Sequence, residues 1–465
     1  MCLKSFIRKE LLFLDYESIK RLGLDHIGID ANNSFETYDS SLSNHTIFIH
    51  LLKPEEVVCP LCGTYNDFIN RGTKSQLIKY SSSLEDNITI KLYRRVYKCN
   101  SCGHTFKEPN PFLESKRQIS IFKDYKILEA LKSITTTYTE VAERFHVSPT
   151  YVINTFDKKV DIKKLELSTV ICVDEVYSKR LSYHHYCFII YNPKDRKIID
   201  VLDSRHLDKL EDYFFKIPKI ERDKVKYFST DLYDNYRLLA KKCLPNALIC
   251  ADSFHVIKNL SDCFHRVRIK IMKRYSYLKN QNDNYYWLFK TYWRLLTIDQ
   301  SKLSYKKYKR NRNNEYLSTN EIVEYMLSID NELRLAYDLL HEYRHFNEVA
   351  NETNCEEWLN EIILKYQNSH ISEYIPAWKL LLNWKNEITN SFIRFNGYRV
   401  SNGPMERVNR DIKTLFRTSF GSTNFERMRN RIMYSINANS AILYKRKDYT
   451  NKKIGKPRGH YQKRK

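Results

Sequence analysis

No apolar stretch in this 465-residue sequence approaches the roughly 18 residues that a membrane-spanning helix needs. The longest runs, such as Cys187–Tyr191, are far shorter, which excludes a membrane-spanning protein. The N-terminus, Met-Cys-Leu-Lys-Ser-Phe-Ile-Arg-Lys-Glu, lacks an extended apolar segment and a small-residue cleavage site. No secretory signal is read there, and the expectation is a cytoplasmic chain. A Gly-rich phosphate loop is missing too, so no chemistry driven by a nucleoside triphosphate is expected. Glycine (10) and proline (11) are scarce while Tyr, Asn, Lys and Ile abound, a bias that A·T-rich coding DNA alone would produce. Acidic balance is also lacking: 55 Asp+Glu face 78 Lys+Arg, for a formal charge of +23. So basic a chain points to nucleic acid, because Lys and Arg gain free energy by displacing counterions from phosphates. A merely basic enzyme is the plainer alternative.

What is present suffices for folded cores: 42% hydrophobic and 14% aromatic residues, in a length that suggests about three domains. Eleven cysteines are an odd number. Seven of them (Cys2, Cys172, Cys187, Cys243, Cys250, Cys263 and Cys355) are scattered among apolar neighbours, as reduced core cysteines are. The other four form two matching units, Cys59-Pro-Leu-Cys62-Gly63 and Cys99-Asn-Ser-Cys102-Gly103, separated by an alternating segment, Gln76–Lys98, that reads as antiparallel strands. Two residues between thiols let a tight turn aim both sulfurs at one tetrahedral ion, and the following glycine tolerates φ > 0. The expectation is a zinc ribbon holding one structural Zn²⁺ through Cys59, Cys62, Cys99 and Cys102. A redox disulfide is the alternative, but it does not predict a second copy.

Tyr138–Phe145, a short turn at His146-Val147-Ser148, and Pro149–Phe156 read as helix, turn, helix. Ser148 suits the N-cap and Pro149 the first helical position. Ala142 is small enough for a close crossing, and Val141, Phe145, Val147, Val152 and Ile153 supply the shared core. In a DNA-binding helix-turn-helix the second helix would enter a major groove, with Thr150, Tyr151 and Asn154 available to bases or phosphates. An ordinary helical hairpin gives a similar pattern.

From Thr169 to about Ala251 apolar strands alternate with amphipathic helices. Val170–Val173 leads into Asp174-Glu175, His184–Tyr191 and Lys197–Leu202 extend a meander, Val225–Ser229 delivers Thr230-Asp231, and Ala247–Ala251 ends in Asp252. The order β-β-β-α-β-α-β is that of a ribonuclease-H-like fold, in which the first and fourth strands are neighbours. Asp174 and Asp231 would then sit side by side, and a divalent cation with oxygen ligands, Mg²⁺ above all, would relieve their repulsion. The third acid is expected in Ser401-Asn402-Gly403-Pro404-Met405-Glu406, a turn that starts a helix with Glu406 at its mouth. On that helix Glu406, Arg410, Lys413 and Arg417 share a face while Val408, Ile412 and Leu415 form an apolar stripe. A plain Glu–Arg pair on a solvated face is the other reading. Asp252 with His255 is a further candidate, or else a helix cap and a structural histidine.

Over nearly its whole length the chain resembles the ISL-three family of bacterial insertion-sequence transposases, which are DDE enzymes. The paired cysteine units, the helix-turn-helix, "VDE" at 173–175, "TDLYDNY" at 230–236, "ADSFHVIKN" at 251–259 and the block at 401–432 carry the resemblance. One departure is Arg407, where a small Gly after the acid is common in the family. The resemblance implies Asp174, Asp231 and Glu406 as the catalytic triad and two catalytic Mg²⁺ or Mn²⁺ ions. It also implies binding to the inverted-repeat ends of the chain's own element and to target DNA, with cleavage followed by strand transfer. Arg410, Lys413 and Arg417 would contact the DNA, with the protein acting as a homodimer in the nucleoid. The multidomain α+β chain is expected to comprise a zinc-ribbon domain (1–118), a helix-turn-helix (119–165), the first part of the core (166–260), a helical insertion (261–393), the final core helix (394–440) and a basic tail (441–465). Competing readings are a DNA-binding regulator without catalysis and a purely hydrolytic nuclease.

Overall fold

The structure, a computed structural model, describes residues 11–39, 44–81, 87–113, 118–179, 181, 185–278, 285–309, 316–419 and 422–437. The basic tail and the first ten residues lie outside them. The chain is mixed α+β and forms two compact units, one built on residues up to Ile162 and one on Lys163–Phe416 with the segment ending at Asn437.

In the first unit a six-stranded sheet orders Leu11–Phe13, Phe35–Asp39, Asn44–His50, Ile88–Cys99 and Phe68–Tyr80 side by side, with Thr105–Lys107 also pairing to Ile88–Cys99. The alternation read at Gln76–Lys98 belongs to two longer antiparallel strands. Ile88, Ile90 and Leu92 point inward in turn, as a period of two requires. Asn44–His50 runs parallel to Ile88–Cys99, and Leu24, Ile47, Ile49 and Phe112 complete an apolar core under the sheet. The cysteine units therefore stand on a sheet with a hydrophobic core of its own.

Three helices follow, Ile121–Ala130, Tyr138–Arg144 and Pro149–Lys159. Thr137 and Glu140 form a reciprocal capping box, and Ser148 Oγ accepts the Tyr151 amide at 3.1 Å. Val141, Ala142, Phe145 and Val152 are buried as the spacing predicts, while Val147 and Ile153 are half-buried.

The second unit rests on a five-stranded sheet. Strands β1 (Val170–Tyr177), β2 (Tyr186–Asn192) and β3 (Lys197–Leu202) form an antiparallel meander; β4 (Tyr227–Thr230) and β5 (Leu248–Ala251) run parallel to β1. The spatial order is β5-β4-β1-β2-β3. Helices α1 (Leu207–Phe215) and α2 (Asp234–Cys243) make the connections, burying Leu210, Phe214, Tyr236 and Leu239. Apolar side chains fill both faces of β2, which is why its sequence reads as one run rather than an alternation.

Helix α3 (Ser253–Arg274) starts directly after Asp252 and continues without a break at 261. Helices from Thr319 to Asn390 pack with it around Leu260, Phe264, Val267, Leu340 and Trp384. The chain returns through a hairpin of Arg394–Phe395 and Tyr398–Arg399 to α4 (Gly403–Thr418) and α5 (Phe425–Ile436). Beyond α5 the Asn437 side chain donates to Ile198 O (2.8 Å) and accepts from Ile198 N (2.9 Å), pairing with the backbone of edge strand β3.

Candidate functional site

The two cysteine units fold alike. In each, the glycine amide donates to the first cysteine's carbonyl at 3.0 Å, from Gly63 to Cys59 and from Gly103 to Cys99. Both glycines hold φ near +70°, at +73° and +70°, where a Cβ would be strained. The ligand atoms of Cys59, Cys62, Cys99 and Cys102 all lie within 4.8 Å of one another. Hydrogen bonds from Thr64 bring the Cys62 thiol down to about 6. At Cys102 the His104 amide pulls down, but desolvation and the neighbouring sulfurs prevail and push it up to about 12. Four crowded thiols cannot all ionise without a cation among them, and a soft, tetrahedral one suits the set.

In the second unit, strand register sets the aspartates. Tyr227 lies opposite Val170 and Ser229 opposite Cys172, so continuing the ladder sets Asp231 opposite Asp174. On the other side of β4, Thr230 lies opposite Ala251, which sets Asp252 opposite Asp231. The Asp252 amide extends that ladder by donating to Thr230 O at 2.8 Å. One row of three aspartates thus crosses strands about 4.8 Å apart. Asp174 was expected at a strand end, and here the structure differs: β1 runs on to Tyr177 because Tyr186 of β2 pairs with it there. It is β4 that stops, leaving the edge of β1 open beside Asp174.

Burial raises all three carboxyls above their usual range. Asp231 is pushed up to about 6, by burial first and then by the charge of Asp174. His255, in the first turn of α3, has Nε2 3.8 Å from Asp252 Oδ2. Its charge acts to lower all three acids.

Glu175 alternates to the opposite face, where Arg205 (2.5 Å) and the Tyr236 hydroxyl (2.7 Å) hold its two oxygens. It is a structural acid. Two asparagines to which the sequence reading gave no role close over the row. Asn409 Nδ2 donates to Asp174 Oδ2 at 2.7 Å. Asn402 donates its amide to Asp252 Oδ1 at 3.4 Å and its Nδ2 to Val173 O at 2.9 Å. The Oδ1 atoms of both are buried and find no hydrogen-bond partner among the described residues. The one available signal was spacing, since Asn409 follows Glu406 by three residues on one helical face.

Glu406 itself is exposed on α4. The structure brings Asp174, Asp231, Asp252 and Asn409 together and gives Glu406 no hydrogen bond or ion pair among the described residues. Among those residues only the four cysteines place three or more ligand atoms within 4.8 Å, so the carboxylates stand wider. Buried carboxylate oxygens, with amide oxygens that have no hydrogen-bond partner among the described residues, nevertheless form a donor set that fits a hard divalent cation.

Along α4, Arg410, Lys413 and Arg417 are exposed while Val408, Ile412 and Leu415 are buried. In the helix Pro149–Lys159, Thr150 and Asn154 are exposed. Tyr151 is instead tied down, its hydroxyl donating to buried Asp124 at 2.6 Å.

The ancestry of this second unit is legible in its sequence: residues 171–432, more than half of the chain, match the family model for transposases. The matched span contains the aspartate row, the helical segment and α4. The chain belongs to the ISL-three family of DDE transposases. No curated protein matches it.

Proposed function

We propose that this transposase cleaves DNA at the ends of its own element and joins them to target DNA, using Asp174, Asp231 and Glu406 on a ribonuclease-H-like core. The observation that carries the reading is the parallel register that sets Asp174 and Asp231 opposite each other, with Asn409 of the helix bearing Glu406 hydrogen-bonded to Asp174. Glu406 lies one turn before that contact on an exposed position, and the reading requires its side chain to turn toward the row when the site is loaded. Apo catalytic geometry is commonly loose in this way.

Asp174, Asp231 and Glu406 would hold two Mg²⁺ or Mn²⁺ ions, with Asp252 completing the row. When bound, such ions activate a water or a 3′-hydroxyl and stabilise the leaving oxygen. The chain's residues do the rest. Asn409 and the Glu175 amide fix the two Asp174 oxygens, and Arg410, Lys413 and Arg417 hold phosphates along α4. In the first unit, Cys59, Cys62, Cys99 and Cys102 would hold one zinc ion. Thr150 and Asn154 would meet base edges and Tyr151 would position their helix, with a homodimer pairing two element ends in the cytoplasmic nucleoid.

Purified full-length protein, incubated with Mg²⁺ and DNA carrying an element end, should cleave and join. Asp174→Asn, Asp231→Asn and Glu406→Gln should each abolish both steps and keep DNA binding, while Glu175→Gln should keep measurable activity. Normal cleavage by Glu406→Gln would reassign the third acid to Asp252. Cleavage that never proceeds to joining would leave a nuclease, and unchanged biological output in Asp174→Asn a regulator.

A further inference from the structure

A cavity of about 840 Å³ opens in the second unit where the Arg394–Arg399 hairpin, the β2–β3 turn and the first turns of α4 meet. It is distinct from the aspartate row, none of whose members lines it; it lies at the opposite, Val170 end of β1. The volume is in the range of pockets that enclose small ligands.

Cations dominate its rim. Lys194 and Arg196 come from the β2–β3 turn and Arg407 from α4. All three are exposed, and among the described residues their side chains form no ion pair or hydrogen bond. One carboxylate, Asp411, opposes them. Arg399 is engaged elsewhere, donating to Ser391 and Asn347 and lying over the Phe392 ring.

The hairpin adds an aromatic face. Asn396 and Gly397 take positive φ in its tight turn, at +51° and +83°. Phe395 anchors the base, packing with Val170, Cys250 and Val400 and on the Tyr227 ring at 5.7 Å. Tyr398 is left 81% exposed at the cavity's lip. A lone exposed tyrosine is ordinary, and a basic rim alone attracts any phosphate. A hollow joining the two suits a ligand with one anionic group and one free π-face, and a base has free faces only when it is unstacked from a duplex.

We propose that this cavity is a second DNA-binding site that takes an unpaired nucleotide of a single-stranded DNA end, its base stacked on Tyr398 and its phosphate held by Lys194, Arg196 and Arg407. The proposal rests on the reading above for its substrate class and adds the form of DNA. Staggered cleavage of the two strands at an element end would generate such nucleotides.

Full-length protein would be titrated in EDTA, so that no cleavage intervenes, with two duplexes of one sequence, one blunt and one bearing a short 5′ overhang with 2-aminopurine at its first unpaired position. The overhang probe should bind more tightly and its fluorescence should fall on binding. Tyr398→Ala should weaken it roughly five- to hundredfold, the range for loss of one base–aromatic stack, and leave the blunt duplex unchanged; Tyr398→Trp should retain the preference. An Arg196→Ala/Arg407→Ala double variant should flatten the salt dependence for the overhang probe. Equal weakening of both probes by Tyr398→Ala, or unchanged fluorescence, would overturn the proposal. Asp174→Asn should keep the overhang preference, so failure of the catalytic reading is separable from failure here. A protein that binds neither probe defeats both.

Discussion

Asn409 and Asp174 are 235 residues apart in the chain and 2.7 Å apart in space. The Asn409 amide fixes one Asp174 oxygen, and the Glu175 backbone amide fixes the other at 2.7 Å. Partners that orient a metal-binding carboxylate are typically worth about ten- to a hundredfold in metal affinity or activity. Asn409→Ala should therefore slow strand cleavage by that factor and raise the Mg²⁺ concentration needed for half-maximal rate, with DNA binding intact. Cleavage rates measured across a metal titration test this; an unshifted midpoint would make the contact merely structural.

Purified protein should contain about one zinc per chain, and a Cys59→Ser/Cys99→Ser double variant none. Because the first unit has its own apolar core under the sheet, losing the metal should loosen the cysteine end without melting the whole. Limited proteolysis should then cut around Cys59–Tyr65 and Cys99–Thr105, while the melting transition of the second unit stays put. Wild-type zinc content in the double variant would sink the assignment.

His341 makes stability pH-dependent. Burial first, and nearby Arg344 second, bring it down to about 4, against about 6.5 in an unfolded chain. The folded state thus binds fewer protons than the unfolded one. Its stability contribution is complete above pH ~6.5 and is lost as pH falls towards ~4, by up to about 3 kcal/mol. His341→Gln, which cannot be charged, should flatten the fall in Tm across that window. Superimposable Tm profiles for the two proteins would refute the assignment.

Buried Asp200 and half-buried Arg429 form a pair at 2.6 Å that joins α5 to β3, with the Tyr213 hydroxyl on the same carboxylate at 2.7 Å. Asp200→Ala leaves the half-buried Arg429 guanidinium without this carboxylate and should cost about 1–3 kcal/mol. An Asp200→Leu/Arg429→Met double variant should recover much of that loss. Denaturant unfolding of the three proteins decides, and a double variant no better than Asp200→Ala would show that the helix depends on the charges themselves.

What could be read from the sequence was local. The cysteine units announce themselves because two thiols and a glycine within five residues already define the turn. The strands carrying Asp174 and leading to Asp231 are legible because their runs are buried and apolar, although where β1 ends is not, since its pairing with β2 extends it to Tyr177. The α4 stripe of Val408, Ile412 and Leu415 is legible through its helical period. Register is not written locally: that Asp252 completes a row with Asp231 and Asp174 depends on which residue pairs with which across strands. Nor can the role of Asn409 be read from its neighbours, since its partner belongs to another part of the chain. The anchoring of Tyr151 is hidden for the same reason, because its hydroxyl donates to Asp124, two helices earlier in the chain.

The aspartates are supplied before the long helical segment, and Asn402, Glu406 and Asn409 after it. A nascent chain therefore carries its acids for the whole time the ribosome spends on residues 253–401 without the residues that cover and complete the site. If the proposed site is right, synthesis order would work as an arming delay, with an unfinished chain that meets DNA chemically silent. On the proposed reading, a product terminated within that segment would keep the helix-turn-helix but lack the third acid. It would occupy element ends without cutting them, a dominant inhibitor encoded by nothing more than an early stop codon.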